Sequence, residues 1–139
     1  MTFARDLANK ANDKGVVKVL NAYTASTFST SSTSYVDVTS MSVTVTPSSS
    51  SSKFLLIYNT FHNASGGTNP EVTYIFDRGG TTFGDMVIRT QTSLPIGVTD
   101  IYLDSPATAS SITYKVRLKV DTGTVNNYQK SLIVIEIEG

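Results

Sequence analysis

The stretch that most constrains the fold is Ile112–Val120, ITYKVRLKV, in which apolar and polar residues alternate strictly. Apolar side chains occupy every second position, and Thr, Lys or Arg stands between them. A period of two with one apolar face is typical of a half-buried β-strand. The turn Asp104-Ser105-Pro106 and a small Ser/Thr-rich loop precede this stretch, and similar loop-then-strand patterns recur along the chain. The sequence therefore predicts an all-β protein.

Other segments show comparable strand patterns, and the chain contains one helical pattern. The further predicted strands are Val16–Asn21, Tyr35–Thr46, Lys53–His62, Val72–Arg78, Met86–Thr90, Val98–Leu103, Val125–Tyr128 and Ser131–Glu138. About eight to ten short strands at fairly even spacing favour an antiparallel β-sandwich or jelly roll. Phe3, Leu7 and Ala11 lie on one stripe of a short predicted helix, Thr2–Asn12. We expect a helix or stalk end over residues 1–14 and a β-sandwich over residues 15–139.

Two long polar segments interrupt these patterns. Ala22–Ser34 is polar and low in complexity, which predicts a loop with at most a frayed strand. The serine run Ser48–Ser52 could be a flexible linker, but apolar strands flank it closely on both sides. A tight connection inside one sheet is therefore favoured over a domain boundary.

Lys53–His62 is the most apolar strand, and both of its faces are apolar. Both faces should therefore be covered. One face can line the sandwich interior, and the other is expected to meet a second subunit. The alternative is that a loop or the N-terminal helix covers it. The predicted subunit interface consists of Phe54, Leu56, Tyr58, Leu132 and Val134.

Charged side chains are sparse and balanced. They make up 16% of the chain, and the formal net charge is zero, which argues against a nucleic-acid surface. The basic stripe Lys115, Arg117 and Lys119 is opposite in sign to Glu136 and Glu138. These charges are predicted to pair across neighbouring strands.

No motif for catalysis, cofactor binding or metal binding stands out. His62 is the only histidine, and the sequence places neither a nucleophile nor an orienting acid beside it. Strand-end aspartates such as Asp77 and Asp104 lack the spacing of a calcium loop, and turn chemistry accounts for them. The chain has no cysteine. We therefore expect a protein that is not an enzyme and that holds no cofactor or metal.

The sequence also predicts neither a membrane span nor a secretion signal. No apolar run approaches the roughly 18 residues that a span needs. Met1–Lys14 has no apolar central region, so a signal peptide is not expected. A virion component made in the host cytoplasm and released by lysis would fit this pattern, and so would a gene product whose upstream part is missing from this sequence.

Several segments together resemble the distal domains of tail fibres and related virion structural proteins of tailed bacteriophages, particularly marine phages and cyanophages. The segments are Phe3-Ala4-Arg5-Asp6-Leu7-Ala8, Thr46-Pro47 with the serine run into Lys53–Tyr58, Leu103-Asp104-Ser105-Pro106 with Tyr114-Lys115-Val116, and the closing Ser131–Glu136. The resemblance implies a small β-sandwich that assembles as a homotrimer and displays its loops at a tip. It implies a receptor-binding or structural role in the virion, without catalysis.

Loops between strands are where such a tip would contact a host glycan or protein. The candidate loops are Asn63–Pro70, Gly79–Gly84 and Ala107–Ser111, with the candidate recognition residues Asn63, Ser65, Asn69, Thr81, Phe83, Thr108 and Ser110. Two other functions stay open. One is a capsid or neck decoration protein that binds other virion proteins, and the other is a cellular carbohydrate-binding module.

Overall fold

The computed structural model describes residues 15–90 and 94–139, so the predicted helix Thr2–Asn12 lies outside the described residues. The described residues form nine strands and no helix. The strands are β1 Val16–Thr24, β2 Phe28–Thr30, β3 Val36–Val45, β4 Lys53–Ser65, β5 Glu71–Arg78, β6 Thr81–Arg89, β7 Ile96–Asp104, β8 Ile112–Val120 and β9 Thr124–Ile137. No membrane-spanning helix is found in this part of the chain.

The strands form two antiparallel sheets, which confirms the predicted β-sandwich. The first sheet has the order β1-β9-β4-β7, with the short β2 also pairing with β9. The second sheet has the order β3-β8-β5-β6. When β2 is set aside, the eight remaining strands follow the order of two interleaved Greek keys, which is the arrangement of a jelly roll.

The core lies between the two sheets and is built from the side chains that point inward from the strands of both sheets. Phe54 on β4 packs against Tyr114 on β8, with ring centroids 5.6 Å apart, and Tyr58 packs against Tyr74 on β5 at 5.7 Å. All four rings are at most 1% exposed. Burying rings of this size is a large part of what holds the sheets together, since each contributes about 2–3 kcal/mol by removal from water.

The structure corrects several predicted strand limits and connections. β9 is one continuous strand where two were predicted, and β6 begins at Thr81 rather than at Met86. The polar segment Ala22–Ser34 contains the end of β1 and the short β2. The serine run does not connect strands of one sheet, because it leads from β3 in the second sheet to β4 in the first.

The predicted charge pairing between β8 and β9 is wrong, because the two strands lie in different sheets. Lys115 and Arg117 instead form ion pairs with Asp37 on the neighbouring β3, at 2.8 and 3.0 Å. Lys119 lies over the ring of Tyr35, 4.9 Å from its centroid. Opposite charge along two strands therefore did not identify neighbours here.

The serine run is ordered around the buried carboxylate of Glu136. The backbone N–H of Ser48 and the hydroxyl of Ser52 both donate to this carboxylate, and the ammonium of Lys18 lies 3.3 Å from it. Burial alone would raise the pKa of Glu136, but these donors and the Lys18 charge outweigh it and hold the pKa below its ordinary value. A run of serines thus serves as a carboxylate-binding turn rather than as a flexible linker.

The loops divide between the two ends of the sandwich. Backbone hydrogen bonds join Thr90 to Pro70 and Asp121 to Glu71, so the β4–β5 and β8–β9 connections share one end, which we call the β4–β5 end. The Gly79-Gly80 turn and the loop after Asp104 share the other end, the β5–β6 end. There, Arg78 forms an ion pair with Asp104.

Gly123 is the tightest point of the β4–β5 end. Its φ is +73°, and a Cβ atom there would lie 2.2 Å from the carbonyl oxygen of Ser65. Gly79 has a similar φ of +57°, but a Cβ there would have no heavy atom within 4 Å. An alanine would therefore carry backbone strain at either position, but its side chain would clash only at Gly123.

We expect Gly123→Ala to lower the free energy of unfolding by about 2 kcal/mol and Gly79→Ala by about 1 kcal/mol, the value for left-handed strain alone. Urea unfolding of both variants measures the difference. Equal losses would show that the loop at Gly123 relaxes without cost.

Candidate functional site

The outer face of the first sheet is apolar across four strands. Direct partners in a β-ladder point to the same face of a sheet, so the register defines rows of side chains. One row is Val19, Ile135, Leu55 and Leu103, and the next is Asn21, Ile133, Ile57 and Ile101. We call the apolar residues of these two rows the apolar face.

The described residues leave the apolar face open to water. Val19, Ile101 and Leu103 are 63%, 59% and 51% exposed, and Leu55 and Ile57 are partly exposed between them. Contiguous exposed apolar surface of this kind marks an interaction site more often than isolated exposed residues do. The apolar face is therefore the candidate site for contact with another molecule.

Lys53–His62 was predicted to be apolar on both faces and to bury only one of them inside the sandwich, and this geometry agrees. The prediction of which face lies inside is reversed. The five residues predicted to form a subunit interface, Phe54, Leu56, Tyr58, Leu132 and Val134, are all 0% exposed and lie in the core between the sheets. The physical reason is size: the rings of Phe54 and Tyr58 reach Tyr114 and Tyr74 of the opposite sheet. The smaller Leu55 and Ile57 are left on the outside.

Beyond the apolar face, towards the β4–β5 end, the same sheet surface becomes polar and concave. The next row is Tyr23, Ser131, Asn59 and Thr99, and Phe61 follows Asn59 on β4. A cleft of about 280 Å³ opens here, lined by Tyr23, Asn59, Phe61, Thr99, Gln129 and Ser131 among others. A second hollow, lined by Ala25, Phe61, Pro95, Tyr128 and Gln129, adjoins it. We call the two together the bulge cleft.

A β-bulge in β9 shapes this cleft. Thr60 is opposite Lys130 and His62 is opposite Asn127, so Tyr128 and Gln129 both stand opposite the single residue Phe61. A bulge re-aims the side chains of the strand that carries it. The Phe61 ring lies against Gly97, its ladder partner on β7: a Cβ there would be 3.4 Å from the ring, an ordinary van der Waals distance.

Beneath the cleft, on the inner side of the sheet, lies a buried polar network. Asn127 Oδ1 accepts hydrogen bonds from Tyr58, Thr60 and Tyr74, and the Tyr74 hydroxyl is 2.6 Å from His62 Nδ1. Burial raises the pKa of Tyr74 well above its ordinary value, so this hydroxyl stays protonated. The network therefore joins the two sheets through neutral hydrogen bonds.

His62 does not form part of an accessible catalytic arrangement in the described residues. It is 0% exposed and stacks on Tyr74 with the ring planes 10° apart. Across residues 15–90 and 94–139, no three acidic or histidine side chains come together as a metal site requires.

No protein-family profile and no curated protein matches this sequence. Solved structures share its fold. The chain is similar to the VP2 subviral particle of infectious bursal disease virus, with 15% identity and a TM-score of 0.52 over 89% of this chain and 33% of that chain. It is also similar to the dimeric latent PorU of Porphyromonas gingivalis, with 10% identity and a TM-score of 0.53 over 91% of this chain and 13% of that chain.

These likenesses concern the fold alone, because the sequence identity is so low. The chain spans a third of the VP2 chain and a much smaller part of the PorU chain. One neighbour is viral and the other is bacterial, which is common for a sandwich fold that carries many functions. The comparisons therefore support the β-sandwich fold, and any proposal about function has to be argued from the surface of this chain.

The predicted recognition residues do not lie in one place. Asn63, Ser65 and Asn69 lie at the β4–β5 end, where Asn63 and Ser65 still belong to β4. The residues at the opposite end are Thr81, Phe83, Thr108 and Ser110, of which Thr81 and Phe83 belong to β6 rather than to a loop. A single tip cannot therefore use all three predicted loops.

Of these residues, Asn63 lies next to the bulge cleft. Its Oδ1 atom accepts hydrogen bonds from the Tyr128 hydroxyl at 3.2 Å and from Asn126 Nδ2 at 3.1 Å. Phe83, in contrast, packs on Tyr102 with ring centroids 4.8 Å apart.

Sequence reasoning missed the cleft residues Phe61 and Gln129 as functional candidates. The available signal was the spacing of the apolar residues Val125 and Leu132, which are both buried although their offset along the chain is odd. In a regular strand such residues would face opposite sides, so the spacing requires a bulge.

Proposed function

We propose that the chain is a non-enzymatic structural protein of a phage virion that assembles as a homotrimer and contacts the host surface, as the distal domain of a tail fibre does. The observation that carries the proposal is the apolar face, which spans four strands and which the described residues leave exposed. A second copy of the chain would remove it from water. Assembly would also cover strand edges that otherwise invite aggregation.

Two further observations support a role in a particle. The jelly-roll strand order is shared with many capsid domains, and the VP2 subviral particle is among the structures similar in fold. The sequence segments that resemble tail-fibre domains include Lys53–Tyr58 and Ser131–Glu136, which supply the two central strands of the sheet with the apolar face. The segments that resemble tail-fibre domains and the exposed apolar face thus lie in the same sheet.

The proposal is tested by the mass of the protein in solution. We expect light scattering on a size-exclusion column to give about 45 kDa, three chains of 14.9 kDa. Leu55→Asp, in the middle of the apolar face, is expected to weaken association at least about 100-fold, because burying a charge without a partner costs roughly 3 kcal/mol or more.

Val87→Asp is the matched control, since Val87 is 52% exposed on β6 in the other sheet. It should leave the mass unchanged. A wild-type monomer would contradict self-assembly, and a dimer would contradict the trimer. Equal behaviour of the two variants would show that the apolar face is not the contact.

A capsid or neck decoration protein is the second candidate, and the same apolar face favours it. In that case the occupant would be another virion protein, and the isolated chain would be monomeric. A cellular carbohydrate-binding module is the third candidate, favoured by the exposed aromatic rings of the bulge cleft. It would bind glycans without self-assembly.

A further inference from the structure

We propose that the bulge cleft binds an uncharged saccharide, with Phe61 and Tyr23 as stacking platforms and Gln129 and Asn59 as polar partners. This inference deepens the host contact of the proposed function and rests on it for the source of the ligand. It uses a different surface from the apolar face. The evidence comes from the way the cleft is built, from its exposed rings and from its lack of available charge.

The bulge behind the cleft is held by a buried charge. Lys130 is 1% exposed, and its ammonium donates hydrogen bonds to the backbone carbonyls of Ser26, Tyr128 and Asn127. Burying an ammonium is costly unless its donors are all satisfied. Three carbonyl acceptors satisfy it here, and they tie the bulge to the segment between β1 and β2. The cleft is therefore a rigid feature rather than a by-product of a loose strand end.

The cleft exposes aromatic rings that the fold does not use. Phe61 is 50% exposed and Tyr23 is 62% exposed, and both line the cleft together with Asn59 on the outer surface of the sheet. A sugar ring presents a face of C–H groups that packs on an aromatic ring and removes both from water. The volume of about 280 Å³ is small for a drug-sized ligand and suits a compact one.

The polar groups at the cleft are amides and hydroxyls, which both donate and accept hydrogen bonds. Gln129 is exposed beside Phe61, and Asn59 accepts a hydrogen bond from Thr99 at 2.7 Å. Asn59 then keeps its amide N–H groups for a ligand. Hydroxyl groups of a sugar need this mixture of donors and acceptors.

The described lining residues of the cleft offer no available charge to a ligand. Among its described lining residues the only charged side chain is Lys130, and its ammonium is turned towards the three carbonyls. A carboxylated or sulfated glycan would lose hydration without gaining an ion pair. We therefore infer preference for neutral saccharides over acidic ones.

The experiment combines an array of neutral, sialylated and sulfated glycans with an NMR titration of the intact protein. The NMR probes are the methyl glycosides of glucose, galactose, mannose and N-acetylglucosamine. Binding to neutral glycans is expected, with shift changes confined to residues around Phe61 and Gln129. Phe61→Ala is expected to lower affinity at least about tenfold, since it removes a stacking platform. Gln129→Ala should lower it less.

Val87→Ala is the control, because it removes an exposed apolar side chain from the opposite sheet. It should bind as the wild type does. Absence of binding to any neutral glycan would overturn the inference. So would binding restricted to acidic glycans, or unchanged binding by Phe61→Ala.

The outcome separates this inference from the proposed function, because mass is measured on the same samples. A trimer that binds no neutral saccharide would overturn the inference alone. A monomer that binds neutral saccharides at the cleft would overturn self-assembly and leave the inference standing. Phe61→Ala should keep the wild-type mass and melting temperature, since Phe61 is half exposed.

Discussion

Replacing Asn127 with Leu is expected to lower the free energy of unfolding by about 3 kcal/mol. Asn127 Oδ1 accepts hydrogen bonds from the hydroxyls of Tyr58, Thr60 and Tyr74, at 3.2, 3.0 and 3.1 Å. Leu fills a similar volume but offers no acceptor, so buried hydroxyls lose a partner in the core. Urea unfolding followed by circular dichroism measures the loss.

The Tyr58 hydroxyl donates to Asn127 Oδ1, and Thr60 is its other polar neighbour. Thr60 also donates to the carbonyl of Phe61 at 3.2 Å, and the Tyr74 hydroxyl also contacts His62 Nδ1. Removing the Tyr58 hydroxyl as well should therefore relieve part of the damage. We expect Tyr58→Phe/Asn127→Leu to be about 1 kcal/mol more stable than the sum of the two single changes predicts. Strict additivity would contradict the network.

Lowering the pH from 6.5 to 4 is expected to reduce the free energy of unfolding by about 3 kcal/mol, because His62 takes up a proton only in the unfolded chain. Burial lowers the pKa of His62 from its ordinary 6.5 to about 4, because the imidazolium would lose its hydration in the core. In this range the unfolded chain binds a proton that the native protein does not. The free energy of unfolding therefore falls as the pH drops below about 6.5, and above that pH His62 causes no loss.

Unfolding free energies measured at several pH values across this window test the expectation. His62→Gln is the matched variant, because Gln can still hydrogen-bond to Tyr74 but does not titrate. Its stability should fall less across the window than that of the wild type, most clearly between pH 6.5 and about pH 5, where only the histidine titrates. The lowered pKa values of Glu136 and Asp37 mean that the unfolded chain takes up protons at these carboxylates first, from about pH 5 downward, so they reduce the stability of both proteins equally at the acid end of the window. Parallel profiles for the two proteins would show that another group is responsible.

Local pattern was sufficient to predict most strands. β8 has the predicted bounds Ile112–Val120, because its strict alternation leaves one register of apolar residues for the core. β6 was predicted too short, because glycine and polar residues hide the alternation between Thr81 and Asp85. The binding surface was predicted only in outline: the second apolar side of β4 was expected to need a partner, while the cleft at Phe61 was not foreseen.

The sequence by itself determined that the chain forms many half-buried strands and that its most apolar strand cannot bury both faces inside one sandwich. The alternation of apolar and polar residues predicts strands and their apolar faces because it depends only on residues that are close in the chain. The tertiary structure alone decided that Phe54 rather than Leu55 faces the core, that Lys115 pairs with Asp37 rather than with Glu136, and that the bulge in β9 opens a cleft. These outcomes follow from which strands become neighbours. Ladder partners such as Thr60 and Lys130 are far apart in sequence, and no local pattern specifies them.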